Sequence, residues 1–95
     1  MSQPVAEVGA YKNLTNLSGS GVVSTGPCQL LGFYVNNTTA GTLVLRNGGS
    51  GGEVMSGTIT PAIGFHRFPA NVGVSLYATI AGTGLDVTFF FAAGS

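Results

Sequence analysis

The residues of this chain that could take part in acid–base or nucleophilic chemistry are few and lie far apart. The strongest candidates are one cysteine, Cys28, one histidine, His66, and three carboxylates, Glu7, Glu53 and Asp86. A catalytic site needs a nucleophile beside a base, or a cluster of metal ligands. The wide spacing of these residues favours neither arrangement. We therefore expect no enzymatic activity, no metal site and no cofactor.

Cys28 and His66 would have to form a nucleophile–base pair for the chain to act as a thiol enzyme. Cys28 follows Gly26-Pro27 at a predicted strand start, where no helix N-terminus lowers the pKa of its thiol. Arg67 follows His66 directly, and neighbouring residues of a strand point to opposite faces, so these two cations cannot grip one anion together. We interpret Cys28 as a small apolar strand residue and His66 as a rim or interface residue.

Charged residues are scarce, at 6% of the chain, against roughly 25% in an average soluble domain. Lys12, Arg46 and Arg67 balance the three acids, and the formal net charge is zero. Three scattered cations cannot neutralise several phosphates, so we expect no nucleic-acid binding. So few charges also cannot cover the surface of an ordinary monomer, and the absence of net charge removes repulsion between copies. The composition predicts a protein that packs against neighbours.

The sequence predicts neither an intramolecular disulfide nor a membrane segment. A single cysteine cannot form an intramolecular disulfide, so packing or oligomerisation must stabilise the small core. No apolar run approaches the roughly 18 residues that span a bilayer, and Met1-Ser2-Gln3-Pro4 lacks the pattern of a signal peptide. We therefore expect a protein that folds in a cytoplasm and does not enter a membrane.

The elements that must position any functional residue are strands, because sixteen glycines leave no window with a helical period. The glycine-rich stretches precede no helix and carry no following Lys-Ser or Lys-Thr, so they are turns and not phosphate loops. Alternating apolar residues and turn signals predict about eight short strands, at 11–17, 21–24, 29–36, 42–46, 53–59, 64–69, 74–80 and 85–91. The predicted fold is all-β, a two-sheet antiparallel sandwich of jelly-roll or Greek-key type.

Two hairpins are predicted from the turns. One joins strands 74–80 and 85–91 through Gly82-Thr83-Gly84, and the other joins 42–46 and 53–59 through a loop with four glycines. The core faces of the first hairpin are expected to hold Val74, Leu76, Ala78 and Ile80, and Leu85, Val87, Phe89 and Phe91.

Segment 29–36 is expected to lie in the middle of a sheet because it is apolar on both faces. In it Leu31, Phe33 and Val35 alternate with Leu30, Gly32 and Tyr34. Pro69 is expected to close the strand that starts at Gly64.

Residues 1–10 lack alternation and contain Pro4, which predicts a flexible N-terminal arm ahead of a single sandwich domain at 11–95. Aromatic residues are predicted on strand faces opposite the core, or on an outer strand, where they can widen the core, fill a partner's groove or stack on a sugar. The candidate partner-binding residues are therefore Tyr11, Tyr34, Tyr77 and Phe90, together with Glu7 of the arm.

The order of the strand and turn segments resembles that of a known group of proteins. These segments are Gly26-Pro27, Leu30-Leu31-Gly32-Phe33-Tyr34-Val35-Asn36-Asn37, Ala40-Gly41-Thr42-Leu43-Val44-Leu45-Arg46-Asn47-Gly48, Gly64-Phe65-His66-Arg67-Phe68-Pro69 and Leu85-Asp86-Val87-Thr88-Phe89. Across residues 22–91 the chain resembles small β-sandwich structural proteins of tailed bacteriophages, and most of all head decoration or cement proteins. The resemblance lies in the residue types of the strands and in the order of the turns, and it includes no chemical motif.

The resemblance implies a virion protein that sits on the outer capsid shell, commonly as a homotrimer, and clamps adjoining copies of the major capsid protein. It would be assembled in the host cytoplasm. Tail, baseplate and fibre proteins share the same texture, so a receptor- or glycan-binding module is the alternative function, with Tyr34, Tyr77 and the glycine-rich loop as its recognition surface.

Overall fold

The computed structural model describes residues 13–93, and every regular element in that range is a β-strand. The all-β prediction is therefore confirmed, and no helix in this part of the chain is long and apolar enough to cross a membrane. The predicted arm, 1–10, lies outside the described residues. The strands are β1 (Asn13–Leu17), β2 (Gly21–Ser24), β3 (Cys28–Asn37), β4 (Thr42–Asn47), β5 (Glu53–Val54), β6 (Gly64–Val72), β7 (Leu76–Ala81) and β8 (Asp86–Ala93).

The eight strands form two four-stranded sheets. Sheet A has the order β1-β8-β3-β6 and sheet B the order β2-β7-β4-β5. Strands β1 and β8, β2 and β7, β3 and β6, and β4 and β5 pair antiparallel, so the first half of the chain is matched in reverse order by the second half. This nested pairing is the jelly-roll topology, and the prediction of a two-sheet sandwich is confirmed.

The core lies between the sheets and is built from alternate residues of each strand. On β8 and the residue before it, the predicted inward set is confirmed, since Leu85, Val87, Phe89 and Phe91 are all buried. Each strand places every second residue toward the facing sheet, and nearly all of these inward residues are apolar. The other buried apolar residues are Val23, Cys28, Leu30, Phe33, Val35, Leu43, Leu45, Val72, Leu76 and Ala78.

Strand β3 lies between β8 and β6, so its predicted central position is confirmed. Its predicted alternation holds only in part. The register against both neighbours shifts between Leu30 and Gly32, and a bulge moves the inward set by one residue. Leu30 and Phe33 are both buried, while Leu31, expected to share a face with Phe33, is only partly buried.

The predicted C-terminal hairpin is wrong. Strand β7 belongs to sheet B and β8 to sheet A, so the turn between them carries the chain from one sheet to the other. Gly82 and Gly84 adopt positive φ angles of 89° and 78° there, and the amide of Ala40 donates a hydrogen bond of 3.0 Å to the carbonyl of Thr83. Alternation reveals which residues face the core but not which strand lies alongside, so the partner was not predictable from it.

The second hairpin is confirmed, but its return strand is much shorter than predicted. Arg46 pairs with Val54 within β4 and β5, and β5 has only two residues. Beyond it, the hydroxyl of Ser56 accepts the amide of Leu45 at 3.0 Å in place of a backbone carbonyl. A side chain that replaces a ladder partner interrupts the strand.

Two further predictions are corrected at β6 and after it. Pro69 does not close the strand, because β6 continues to Val72. The proline is tolerated since β6 is an edge strand and its register shifts opposite Leu30 and Gly32. Val74, expected on the core face of the next strand, lies in the connection before β7 and is 61% exposed.

Candidate partner-binding surface

The predicted partner-binding residues fall on two different surfaces. Tyr34 on β3 and Phe90 on β8 both lie on the outer face of sheet A, whereas Tyr77 on β7 lies on the outer face of sheet B. Tyr11 and Glu7 lie outside the described residues. The structure therefore brings Tyr34 and Phe90 together and separates them from Tyr77, so Tyr34 and Tyr77 cannot form one recognition surface on a single copy.

The outer face of sheet A carries an aromatic patch, which we define as Leu14, Tyr34, Phe65 and Phe90. Leu14 and Gly32 flank Phe90 in register, and Phe65 flanks Tyr34. Gly32 has no side chain, and the ring of Phe65 fills the space above it, 3.0 Å from where a Cβ would stand. The rings of Phe65 and Phe90 therefore meet edge to face, with centroids 5.9 Å apart and planes at 71°.

The aromatic patch is open to solvent. Leu14 is 56% exposed, Phe65 49% and Tyr34 42%. Sequence reasoning included Tyr34 and Phe90 and missed Leu14 and Phe65. The alternation of β6 could have indicated Phe65. His66 faces the core, where its ring packs on the buried Phe33 with centroids 5.4 Å apart, so the neighbouring Phe65 points to the outer face.

A polar cluster borders this patch, which we define as Asn16, Asn36, Asp86 and Thr88. Nδ2 of Asn16 donates to Oδ1 of Asp86 at 2.6 Å and to Oγ1 of Thr88 at 2.9 Å. Nδ2 of Asn36 donates to the same two acceptors, at 3.4 Å and 3.0 Å. Thr88 is the register partner of Tyr34, so the cluster directly adjoins the tyrosine.

Sequence reasoning missed the polar cluster because its members come from three strands. Asn16 and Asp86 are 70 positions apart and meet only because β1 lies beside β8. One signal was available, since Asp86 is a charged residue at an outward position of an otherwise uncharged strand.

The outer face of sheet B also carries exposed apolar side chains. Val22, Tyr77, Arg46 and Val54 are successive register partners across the sheet, and Val22 and Val54 are 48% and 51% exposed. Arg46 is held in place, with Nε donating to Oγ1 of Thr79 at 3.1 Å and Nη1 to the Gly52 carbonyl at 3.2 Å. The single cation of this row is thus bound within the protein.

Cys28 and His66 do not meet. Cys28 pairs with Val72, and His66 pairs with Phe33, five positions further along β3 and so about 16 Å away at strand spacing. Burial raises the pKa of the Cys28 thiol, and a hydrogen bond with Ser24 opposes the shift. Nε2 of His66 lies 2.7 Å from the carbonyl oxygen of Ala62.

Two other kinds of ligand site are relevant, a metal centre and a surface depression. No group of three His, Cys, Asp or Glu side chains suited to a metal ion occurs among residues 13–93. A shallow depression at the β6 bulge is lined by Gln29, Leu30, Pro69, Ala70 and Asn71, none of which is charged. The aromatic patch with its polar cluster is therefore the richest set of binding groups in the described part of the chain.

Comparisons of this chain with protein-family models, curated proteins and solved structures found no match.

Proposed function

We propose that this protein is a non-enzymatic structural component of a bacteriophage virion, of the head decoration or cement type. It forms a homotrimer and binds the major capsid protein on the outer shell, which stabilises the head. The observation that carries the proposal is that both outer faces of the sandwich present exposed apolar side chains, Leu14, Tyr34 and Phe65 on sheet A and Val22 and Val54 on sheet B.

Exposed apolar area on two opposite faces suits a protein held between neighbours. Large exposed apolar patches mark interaction sites, and interface cores are depleted of charge. Only 6% of the residues are charged, so little of the surface resists burial against another protein. Each apolar side chain that leaves water contributes about 25 cal/mol per Å² of buried area.

The sandwich supplies these side chains in a fixed arrangement. Strands of a paired sheet hold alternate residues at set spacings, so little ordering is needed when a partner binds. A shell presents many copies of the partner at high local concentration, and weak contacts on each copy then add up through multivalency. One face is free to contact sister subunits while the other contacts the shell.

The proposal is tested with the full-length chain and with particles that lack the native copy. Sedimentation equilibrium measures the mass of the isolated protein, and we expect a trimer. Electron cryomicroscopy of particles after addition of the protein measures occupancy on the shell, and we expect density on the outer surface with raised resistance of the heads to heat. A stable monomer that leaves the particles bare would overturn the proposal.

A further inference from the structure

We propose that the outer face of sheet A also holds a binding site for a neutral pyranose sugar, at the border between the aromatic patch and the polar cluster. Tyr34 is the platform on which the sugar ring stacks, and Asp86, Asn36 and Thr88 bind its hydroxyl groups. This site goes beyond the proposed structural function, because it would bind a carbohydrate on a copy whose sheet A is not covered by a protein partner.

Tyr34 has the position that a stacking platform needs. Its side chain is 42% exposed on the outer face of the sheet, and its register partners are Thr88 on one side and Phe65 on the other. An aromatic ring offers an apolar face to the C–H face of a pyranose, while polar groups at its edge fix the orientation of the ring. Such polar groups stand on the Thr88 side, whereas on the β6 side Arg67 lies one row away, opposite Gly32.

The polar cluster retains hydrogen-bonding capacity that its bonds to other described residues do not use. Its internal bonds use Nδ2 of Asn16 and Asn36, Oδ1 of Asp86 and Oγ1 of Thr88 as an acceptor. Within residues 13–93, Oδ2 of Asp86 and Oδ1 of Asn36 accept no hydrogen bond. A carboxylate has two acceptor oxygens and a hydroxyl keeps one proton to donate, so the cluster can both accept from and donate to sugar hydroxyls.

The internal bonds also fix the geometry of these groups. Asn16 and Asn36 approach Thr88 from opposite neighbouring strands, at 2.9 Å and 3.0 Å, and both also reach Asp86. Side chains already held by hydrogen bonds lose less entropy when a ligand binds. The cluster is thus organised before the sugar arrives.

The charge at the site selects for a neutral sugar. Asp86 is the one ionisable member of the cluster. Arg67, a cation of the same face, pairs with Gly32 in the row beyond Tyr34, on the side away from Asp86. Among residues 13–93, no cation stands beside Asp86. A carboxylate or sulfate on the sugar would therefore meet the carboxylate of Asp86, and like charges repel at close range.

The test titrates the full-length protein with soluble trisaccharides built from glucose, galactose, mannose or N-acetylglucosamine, and with sialyllactose as the anionic probe. Backbone NMR shifts report the site. We expect at least one neutral trisaccharide to shift the amides of residues 34, 36 and 88 with a dissociation constant on the order of 1 mM, and sialyllactose to bind at least 10-fold more weakly.

Three variants and one control make the result specific. Tyr34→Ala should weaken binding at least 10-fold, and Tyr34→Leu, which keeps apolar bulk without a ring, should do the same. Asp86→Asn should reduce the discrimination against sialyllactose. Val74→Ala, at an exposed side chain in the connection before β7, is the control and should bind as the unchanged protein does. The inference is overturned if no neutral trisaccharide binds at about 10 mM, or if either Tyr34 variant binds normally. Shell occupancy is measured separately and does not depend on these outcomes.

Discussion

Nδ2 of Asn16 lies 2.6 Å from Oδ1 of Asp86, although 70 positions separate the two residues in the chain. The same amide also reaches Thr88 and the backbone carbonyl of Val87, at 2.9 Å and 3.2 Å. Strand β1 is five residues long and pairs only with β8 within sheet A, so this side chain fastens a short edge strand to the sheet.

We expect Asn16→Ala to lower the free energy of unfolding by about 1 kcal/mol, because these hydrogen bonds are exposed and each contributes little alone. Hydrogen exchange should quicken most in β1. Chemical denaturation measures the first effect and amide exchange the second. Asn37→Ala is the control, because Asn37 is exposed and its side chain bonds to no other described residue. Equal destabilisation by both variants would contradict the assignment.

Gly32→Ala should destabilise the protein strongly. A Cβ at this position would stand 2.4 Å from the carbonyl oxygen of His66 and 3.1 Å from Cα of Arg67, and backbone atoms cannot move aside as a flexible side chain can. Overpacking of this kind costs about 1 to 3 kcal/mol. Thermal melting should place Gly32→Ala well below Gly73→Ala, whose added Cβ meets nothing within 4 Å. Similar melting temperatures would show that β6 can shift away from β3.

The sequence predicted the layers of this fold better than its connections. Alternation along β8 identified the inward set because the polar residues Asp86 and Thr88 alternate with the buried Val87 and Phe89. It could not reveal that β7 and β8 belong to different sheets, since the same alternation suits either pairing. The bulge after Leu30 was also hidden, because apolar residues stand on both sides of it.

The candidate site was predictable only in part, for a related reason. Tyr34 and Phe90 were identified from their own strands. The polar cluster needs the strand order β1-β8-β3, which no local pattern encodes. Gly32 likewise reads as a weak point in a strand, whereas in the sheet it leaves the space that the ring of Phe65 occupies.

The buried thiol of Cys28 predicts a dependence of stability on alkaline pH. Burial raises the pKa of this thiol above its usual value of about 8.5. The unfolded chain then releases the thiol proton at lower pH than the folded chain, so the stabilisation is complete below about pH 8.5 and is lost as pH rises toward the folded pKa. Denaturation between about pH 8 and 9.5 should show this fall, and Cys28→Ala should flatten it. An unchanged slope in the variant would contradict the prediction.

The same burial predicts slow chemical modification of Cys28. The thiolate is the reactive form, and both a raised pKa and the lack of access reduce its attack on a reagent. Labelling by a disulfide reagent at neutral pH should be at least about 10-fold slower in the native protein than in urea. Equal rates would mean that Cys28 is accessible in the folded state.

The last prediction tests whether the two outer faces bind different partners. One double variant, Leu14→Asn with Phe65→Asn, makes the aromatic patch polar, and the other, Val22→Asn with Val54→Asn, does the same on sheet B. All four positions are half exposed, so the fold should keep most of its stability while each face loses the apolar area that a partner would cover. Loss of one or two central apolar side chains typically weakens an interface by about 1 to 3 kcal/mol, or roughly 5- to 150-fold in dissociation constant. If one face joins sister subunits and the other joins the shell, one variant should lower the mass in sedimentation equilibrium, and the other should remain trimeric but lose occupancy on particles. If both variants keep the native mass and occupancy, the outer faces are not the binding surfaces and the proposed function loses its main support.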